Sequence, residues 1–393
     1  MKNVYLDNNA TTRVAPEVRD AMLPYFNEQY GNPSSLYDIG YSAKDAVKKA
    51  REQVAALLGC EPDEVFFTSC GTESDNAAII GSLWANPHKR HVITTTVEHH
   101  AIGYVAESLE KKGFPVTFVE VDQDGKLDLD TLKKSITDQT AIVSVMWANN
   151  ETGVIFPIEE IGQYCRDRGV LFHTDAVQAA GKIKFNLKDS PIDLLSISGH
   201  KLNAPKGIGI LYKKKGISWE PLMKGGQQEQ SQRPGTENVP YIVGMGVAAE
   251  LALSTFAEEY KQISSLRDYL ESEIEKRIPD ARITGKNSPR LPNTCHICFK
   301  GAKDDAMIHL LNTYGVAASS GSACNTESDD VSHVLRAMKI PEEYIRGSLR
   351  LSLGRYNTRE DIDTVLDILP KVVERTRKAK ARRAEAIAQD KDK

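Results

Sequence analysis

Several features of membrane, secreted and nucleic-acid-binding proteins are missing from this sequence. It contains no run of about 18 consecutive apolar residues, and its first residues, MKNVYLDNNATT, lack an apolar stretch followed by a small-residue cleavage site. The formal net charge is -4, so the basic excess typical of nucleic-acid-binding proteins is also absent. We therefore expect a cytoplasmic protein with no membrane partner and no direct nucleic-acid partner.

Cysteine is scarce as well. Six cysteines in 393 residues are too few for the disulfide framework of a small secreted domain, so we expect reduced thiols. Cys295 and Cys298 form a C-x-x-C pair, but no second Cys or His pair has zinc-ligand spacing. The surrounding run TCHICF is typical of a strand, in which residues three apart point to opposite faces. We therefore predict no intrinsic metal site.

Short β-rich runs alternate with helical patterns between residues 63 and 215. The runs are EVFFTS, HVITTT, VTFVEV, AIVSVM, VLFHT, DLLSIS and GIGILYK, and TESDNAAIIGSLWA and IEEIGQYCRDRG are two of the helical patterns between them. This alternation predicts an α/β protein with a mostly parallel seven-stranded sheet and helices on both faces. Because the last strands follow one another closely, we expect part of the sheet to be antiparallel.

The length favours a large domain and a smaller one. A polar loop, KGGQQEQSQRPGTENVP, precedes a long amphipathic helix from about Val239 to Arg277, and the shorter strands NTCHICFK and RLSLGR come later. The predicted units are a large domain over residues 16–255, a smaller α+β domain of residues 1–15 with 256–375, and a basic tail over 376–393 that frays.

Compact polar groups follow five of the predicted strands. They are Cys70-Gly71-Thr72-Glu73-Ser74, Val97-Glu98-His99-His100, Trp147-Ala148-Asn149-Asn150-Glu151, Asp175-Ala176-Val177-Gln178 and Gly199-His200-Lys201. In open α/β sheets, ligands bind outside the carboxyl ends of the strands. These groups therefore predict one ligand site.

Three of these groups suit a phosphate-bearing cofactor, although each also has a plainer structural interpretation. Gly71 and Thr72 begin a helix whose free N–H groups favour a phosphate, unless Thr72 only caps that helix. Lys201 could bind a carbonyl cofactor covalently if its amine is partly neutral, unless it is a surface lysine. Asp175 follows an apolar run, so its carboxylate would need a cation such as a protonated pyridine nitrogen, unless it caps a helix.

The remaining polar residues could complete the same site. Gln178 could donate to a phenolic ring oxygen, and Ser198 and His200 could hold a phosphate beside Lys201. His99 could stack on a flat ring and transfer protons, although a lone histidine is more often structural.

Two residues outside the predicted sheet also suit chemistry. Cys324 lies in AASSGSACNTES, a run of small and polar residues in which packing does not explain a cysteine. As a thiolate it would be a strong nucleophile, unless it is a fortuitous surface cysteine. Arg350 lies in the alternating run SLRLS and could grip an α-carboxylate with two hydrogen bonds, unless it faces solvent.

Taken in order, these motifs resemble the NifS/IscS-type cysteine desulfurases, which are fold type I PLP (pyridoxal 5'-phosphate) enzymes of the class V aminotransferase group. The resemblance runs nearly end to end through YLDNNATT, GNPSS, FTSCGTESDN, EHHA, NNETG, HTDAVQAAGK, SGHKLNAPKGIG, RPGTEN, SSGSAC and RLSLGR. One departure is Cys70, where the family pattern has a small glycine. Because a phosphate loop binds mainly through backbone amides, we expect phosphate binding to survive.

The resemblance implies a role for each matched residue. Lys201 would carry PLP, Asp175 and Gln178 would bind the ring nitrogen and phenolic oxygen, and His99 would stack on the ring. The implied phosphate contacts are Gly71, Thr72, Ser198 and His200, with Thr236 supplied by the other subunit of a homodimer. Asn150 and Arg350 would hold the substrate carboxylate or the ring. Cys324 would receive sulfur as a persulfide and could transiently ligate an iron–sulfur cluster.

The activity implied by the resemblance is removal of sulfur from L-cysteine, with L-alanine as the product and an iron–sulfur scaffold protein or another protein as the sulfur acceptor. A selenocysteine lyase or aminotransferase of the same fold is one alternative, but an aminotransferase has no use for the thiol in SSGSAC. A non-catalytic sulfur carrier is another, although it would not need Lys201, His99 and Asp175. The sequence leaves the acceptor and its pathway open.

Overall fold

In the computed structural model the backbone is described for residues 3–184, 186–320 and 331–391, and the side chains up to residue 379. The strands are β1 Val4–Tyr5, β2 Val65–Thr68, β3 His91–Thr95, β4 Val116–Val119, β5 Thr140–Ser144, β6 Leu171–Asp175, β7 Leu194–Ser198, β8 Gly209–Lys213, β9 Ala281–Ile283, β10 Thr294–Phe299, β11 Val316–Ala317 and β12 Ser348–Ser352. The helices are α1 Pro16–Met22, α2 Pro24–Asn27, α3 Asp38–Leu58, α4 Gly71–Ala85, α5 His100–Lys111, α6 Leu129–Ser135, α7 Ile158–Arg166, α8 Val239–Arg277, α9 Asp304–Thr313, α10 His333–Ala337, α11 Glu342–Ile345 and α12 Arg359–Lys391.

A seven-stranded sheet in the order β2-β8-β7-β6-β5-β3-β4 forms the centre of the molecule. All of its strands are parallel except β8, which runs antiparallel to both of its neighbours. Only residues 199–208 separate β7 from β8, and a parallel crossover needs roughly a dozen residues or more. The prediction of a mostly parallel α/β sheet with an antiparallel part is therefore confirmed.

Helices cover the central sheet, and the strands are buried as a result. Every residue of β3, β5 and β7 is buried, as is typical of parallel strands covered on both faces. Helix α8 packs against α3 so closely that a Cβ atom on Gly246 would lie 2.6 Å from the Cα atom of Ala50. By length and composition alone α8 could cross a membrane, and 44% of its most apolar stretch is buried inside the protein.

A second core lies beside the central sheet. Its three-stranded antiparallel sheet has the order β12-β10-β9, and the parallel pair β1-β11 adjoins it. Residues from the second half of α8, such as Leu270 and Ile274, pack there, whereas Met245 and Ala248 from the first half pack in the first core. The domain boundaries predicted from the sequence stay a prediction, and α8 crosses the second of them without a break.

The N-terminal segment links the two cores. Asp7 bridges to Ser352 at the end of β12, and five residues later the Thr12 N–H donates to the His200 carbonyl oxygen at 2.8 Å. Cys295 and Cys298 lie on β10, as their strand pattern predicts, and both are buried. The chain from residue 7 to residue 12 therefore lies at the carboxyl end of the central sheet.

Candidate active site

The carboxyl ends of the parallel strands open into a cavity of about 370 Å³. All but two of the residues predicted to form the site line this cavity, namely Gly71, Thr72, His99, Asn150, Asp175, Gln178, Ser198, His200, Lys201 and Arg350. Thr236 is exposed on the segment before α8 and is not among the described residues of the wall. Cys324 lies outside the described residues.

Lys201 ends a short 3-10 turn, Gly199–Lys201, that follows β7 directly. Its Nζ donates to the carbonyl oxygen of Asn9 at 2.5 Å and to that of Ala10 at 2.6 Å. The amine is therefore held at the cavity wall by main-chain oxygen atoms of the N-terminal segment. A lysine amine at a cavity wall can form a covalent bond to a ligand carbonyl.

Two buried carboxyl groups face the cavity at the end of the sheet. Asp175 is the last residue of β6, and its Oδ1 accepts from the Val177 N–H at 2.8 Å. Burial raises the pKa of Asp175, and burial followed by the nearby Asp175 raises the pKa of Asp75, which lies on α4. The Oδ1 of Asp75 is buried without a hydrogen-bond partner among the described residues. Such a pair favours a cationic group in the cavity.

His99 caps the N-terminus of α5, since its Nδ1 accepts from the Ala101 N–H at 3.1 Å. Burial, followed by Lys201 and His333, lowers the pKa of His99 to about 4, so the ring is neutral at neutral pH. Because Nδ1 is an acceptor, the ring proton lies on Nε2. His99 therefore presents a donor to a ligand in the cavity.

The start of α4 packs closely against neighbouring residues at Gly71. A Cβ atom on Gly71 would lie 2.9 Å from Val177 Cγ2 and 3.3 Å from Ser198 Cβ, so a larger residue would be crowded there. His200 lies nearby, with its Nδ1 3.2 Å from Thr11 Oγ1, and burial followed by Lys201 lowers its pKa to about 4. The free N–H groups of this 15-residue helix can bind an anion.

Arg350 lies on a strand beside the second core and lines the same cavity. It lies on β12 and is 3% exposed. Its Nη1 donates to the Asn150 carbonyl oxygen at 3.0 Å and its Nη2 to Asp7 Oδ1 at 2.9 Å, whereas its buried Nε has no hydrogen-bond partner among the described residues. The guanidinium is thus fixed at the cavity wall and keeps donor capacity for a carboxylate.

Glu151, next to Asn150, is buried behind this guanidinium. Its Oε2 accepts from Ser332 Oγ at 2.6 Å. Burial raises the pKa of Glu151 to about 7, against the lowering effects of Ser332 and Arg350.

Sequence reasoning missed several residues of the wall, among them Asn9, Ala10 and Asp75. The Asn9 side chain donates to the Asn150 carbonyl oxygen at 3.1 Å and to Thr294 Oγ1 at 2.9 Å. Asn9 lies in the motif DNNATT, which could have indicated this residue from the sequence. Asp75 lies on a helix that begins at the phosphate loop, and the helical spacing from Gly71 could have placed it near the site. Cys70 also lines the cavity.

Comparison with known proteins agrees with this geometry. Residues 4–365 match the protein family described as Aminotransferase class-V. The chain is 51% identical over 378 residues to "Cysteine desulfurase NifS" of Azotobacter vinelandii, with 96% of this chain and 94% of that protein covered. It is 49% identical over 379 residues to "Cysteine desulfurase IscS" of Clostridium botulinum, with 96% of each chain covered.

One solved structure is similar to this chain over almost the whole length of both. It is described as a NifS-like protein, superposes with a TM-score of 0.89 at 39% identity, and covers 95% of this chain and 100% of its own. The fold, the order of the motifs and these similarities agree. The chain therefore belongs to the class-V aminotransferase family and, within it, to the NifS/IscS-type cysteine desulfurases.

Proposed function

We propose that this protein is a PLP-dependent cysteine desulfurase that takes sulfur from L-cysteine, releases L-alanine and holds the sulfur as a persulfide on Cys324. One observation carries the proposal: the amine of Lys201, the carboxyl of Asp175 and the guanidinium of Arg350 all face one cavity. We also propose an iron–sulfur scaffold protein as the sulfur acceptor, on the strength of the chain's membership of the NifS/IscS-type enzymes.

The residues of the cavity fit PLP. The buried carboxyls of Asp175 and Asp75 suit a protonated ring nitrogen, and the first turn of α4, with Ser198 and His200, suits the phosphate. The Lys201 amine is placed to bind the aldehyde carbon covalently. When bound, PLP supplies an electron sink for the charge that develops when the substrate's Cα–H bond breaks.

Residues of the chain would carry out the remaining steps of the reaction. Arg350 binds the α-carboxylate of L-cysteine, and Lys201 accepts and returns the α-proton. Neutral His99 donates from Nε2 and orients the group stacked against it. The Cys324 thiolate attacks the substrate sulfur, so that an S–S bond forms and the C–S bond breaks. The electron pair of the C–S bond passes to carbon, which gains a proton in alanine.

The activity is tested by mixing the purified PLP-bound protein with L-cysteine and a thiol reductant. We expect sulfide and L-alanine in equal amounts. L-Selenocysteine tests the lyase alternative, and 2-oxo acids with an amino donor test the aminotransferase alternative. Amino transfer without sulfide would contradict the proposal, and a purified protein that neither contains nor binds PLP would favour the non-catalytic carrier.

We further propose that the protein is a homodimer in which Thr236 of the partner subunit completes the phosphate site. Large apolar side chains are exposed within a short stretch of the chain, residues 23–41, at Leu23, Phe26, Tyr30, Leu36, Tyr37 and Tyr41. Several large apolar side chains exposed so close together in the sequence favour a protein interface. Thr236 is exposed and lies outside the wall of its own cavity, which fits a contact made across a two-fold axis.

Charge on this apolar surface should separate the subunits. We expect the double variant Phe26→Asp/Leu36→Asp to be largely monomeric at micromolar concentration and to bind PLP about 10-fold or more weakly, because the Thr236 contact is lost. Light scattering after gel filtration measures the mass. Trp84→Asp, at an exposed aromatic residue outside this stretch, is the control. A monomeric wild-type protein would contradict the dimer.

A further inference from the structure

Lys182 is a lysine near the cavity for which the proposed reaction has no use. Its Nζ donates to the carbonyl oxygen of Gln178 at 3.1 Å and lies 3.4 Å from Gln178 Oε1. No carboxylate within the described part of the chain forms an ion pair with it. An ammonium group removed from water without an acidic partner is costly, so the position calls for an explanation.

The charged residues around Lys182 do not explain its position. Lys182 and Lys201 line the same small cavity of about 50 Å³, where Glu259 is also present. That carboxylate pairs with Arg355 at 2.7 Å instead. Burial, followed by the Lys201 charge, lowers the pKa of Lys182 to about 7. His200 lies close enough for Lys182 to lower its pKa as well. The electrostatic surroundings therefore disfavour the ammonium form of Lys182, and within the described part of the chain its Nζ donates only to Gln178.

The side-chain amide of Gln178 is fixed at both ends by these contacts. Its Nε2 donates to the Asn9 carbonyl oxygen at 3.0 Å, and a carbonyl oxygen can only accept. Its Oε1 accepts from the Lys182 Nζ at 3.4 Å, so Lys182 acts as a donor at this end of the amide. Because Gln178 is buried and lines the main cavity, the second N–H bond of Nε2 is left for a ligand acceptor.

We propose that Lys182 is a positioning residue that keeps the Gln178 amide turned so that its N–H faces the ring oxygen of the cofactor. This inference rests on the proposed PLP site. A flipped amide would place Oε1 against the Asn9 carbonyl oxygen and the anionic ring oxygen, and an N–H group against the N–H bonds of Lys182. Lys182 makes that arrangement unfavourable.

The test is a pH titration of the visible absorption of the PLP-bound protein. In Lys182→Met we expect the midpoint to rise by about one pH unit, because a hydrogen bond to the anionic form of the cofactor is weakened. PLP should also bind roughly 10-fold more weakly, the same free-energy change expressed as affinity. Lys182→Arg, which restores a donor, should recover most of both losses. Lys184→Met, at an exposed lysine two residues further on, should match the wild type.

A double-variant cycle separates positioning from a general structural role. In a Gln178→Ala background, Lys182→Met should add little further shift, since its effect passes through the amide. An equal shift in that background, or an unchanged midpoint in Lys182→Met, would overturn the proposal. If Lys182→Met does not fold, Lys182→Gln serves in its place. Absence of PLP from the wild type would instead refute the proposed function, so the two failures can be told apart.

Discussion

Replacement of Cys324 by alanine should lower sulfide release from L-cysteine by about 10³-fold or more. The thiolate at this position is the proposed acceptor of the substrate sulfur, and the cavity residues proposed to bind PLP and the carboxylate remain intact. PLP content and the change in visible absorption on adding L-cysteine should therefore persist. Sulfide assays under thiol reductant, together with absorption spectra of the same samples, measure the two effects separately.

Cys70 is a second candidate for the sulfur acceptor, because this residue also lines the cavity. Cys70→Ala should retain sulfide release, as should Cys60→Ala, at a cysteine that is not among the residues of the cavity wall. If Cys324→Ala stays active and Cys70→Ala is inactive, the sulfur is carried by Cys70 and the assignment to Cys324 is wrong.

Lys201→Ala should lose activity by a comparable factor, about 10³-fold or more, since it removes both the proposed covalent attachment of PLP and the group proposed to move the α-proton. Borohydride reduction followed by intact-protein mass measurement should add one PLP to the wild type and none to the variant. Far-UV circular dichroism should be unchanged, because the Lys201 side chain donates to the carbonyls of Asn9 and Ala10, which lie outside the helices and strands.

Lys206 provides a matched control for this variant. It lies five residues further on and is exposed, so Lys206→Ala should keep both the activity and the covalent PLP. Covalent PLP in Lys201→Ala, or its loss in Lys206→Ala, would move the attachment site away from Lys201.

The sequence predicted the central sheet well because its signals are local. Each strand is a short β-rich run between turns, and the brief connection between β7 and β8 is enough to require an antiparallel strand. The polar groups at the strand ends could be gathered into one site by a general property of open α/β sheets, without knowledge of their distances.

The parts that sequence reasoning missed depend on contacts between distant residues. The carbonyl oxygen atoms of Asn9 and Ala10 hold Lys201, and a main-chain carbonyl has no signature in the residue types. Asp7 pairs with Arg350 across 343 positions of sequence, so the orientation of that guanidinium could not be read from the run SLRLS. The effect of Asp175 on the pKa of Asp75 likewise requires the packing of α4 against β6.

The link made by residues 7–12 has a practical consequence for anyone who re-engineers this protein. These residues touch Lys201, Arg350 and Gln178, so they belong to the candidate active site although they lie far from its other residues in the sequence. Removing them, or moving the chain ends by circular permutation through this stretch, would remove contacts that hold the site together. Affinity tags are better fused beyond α12.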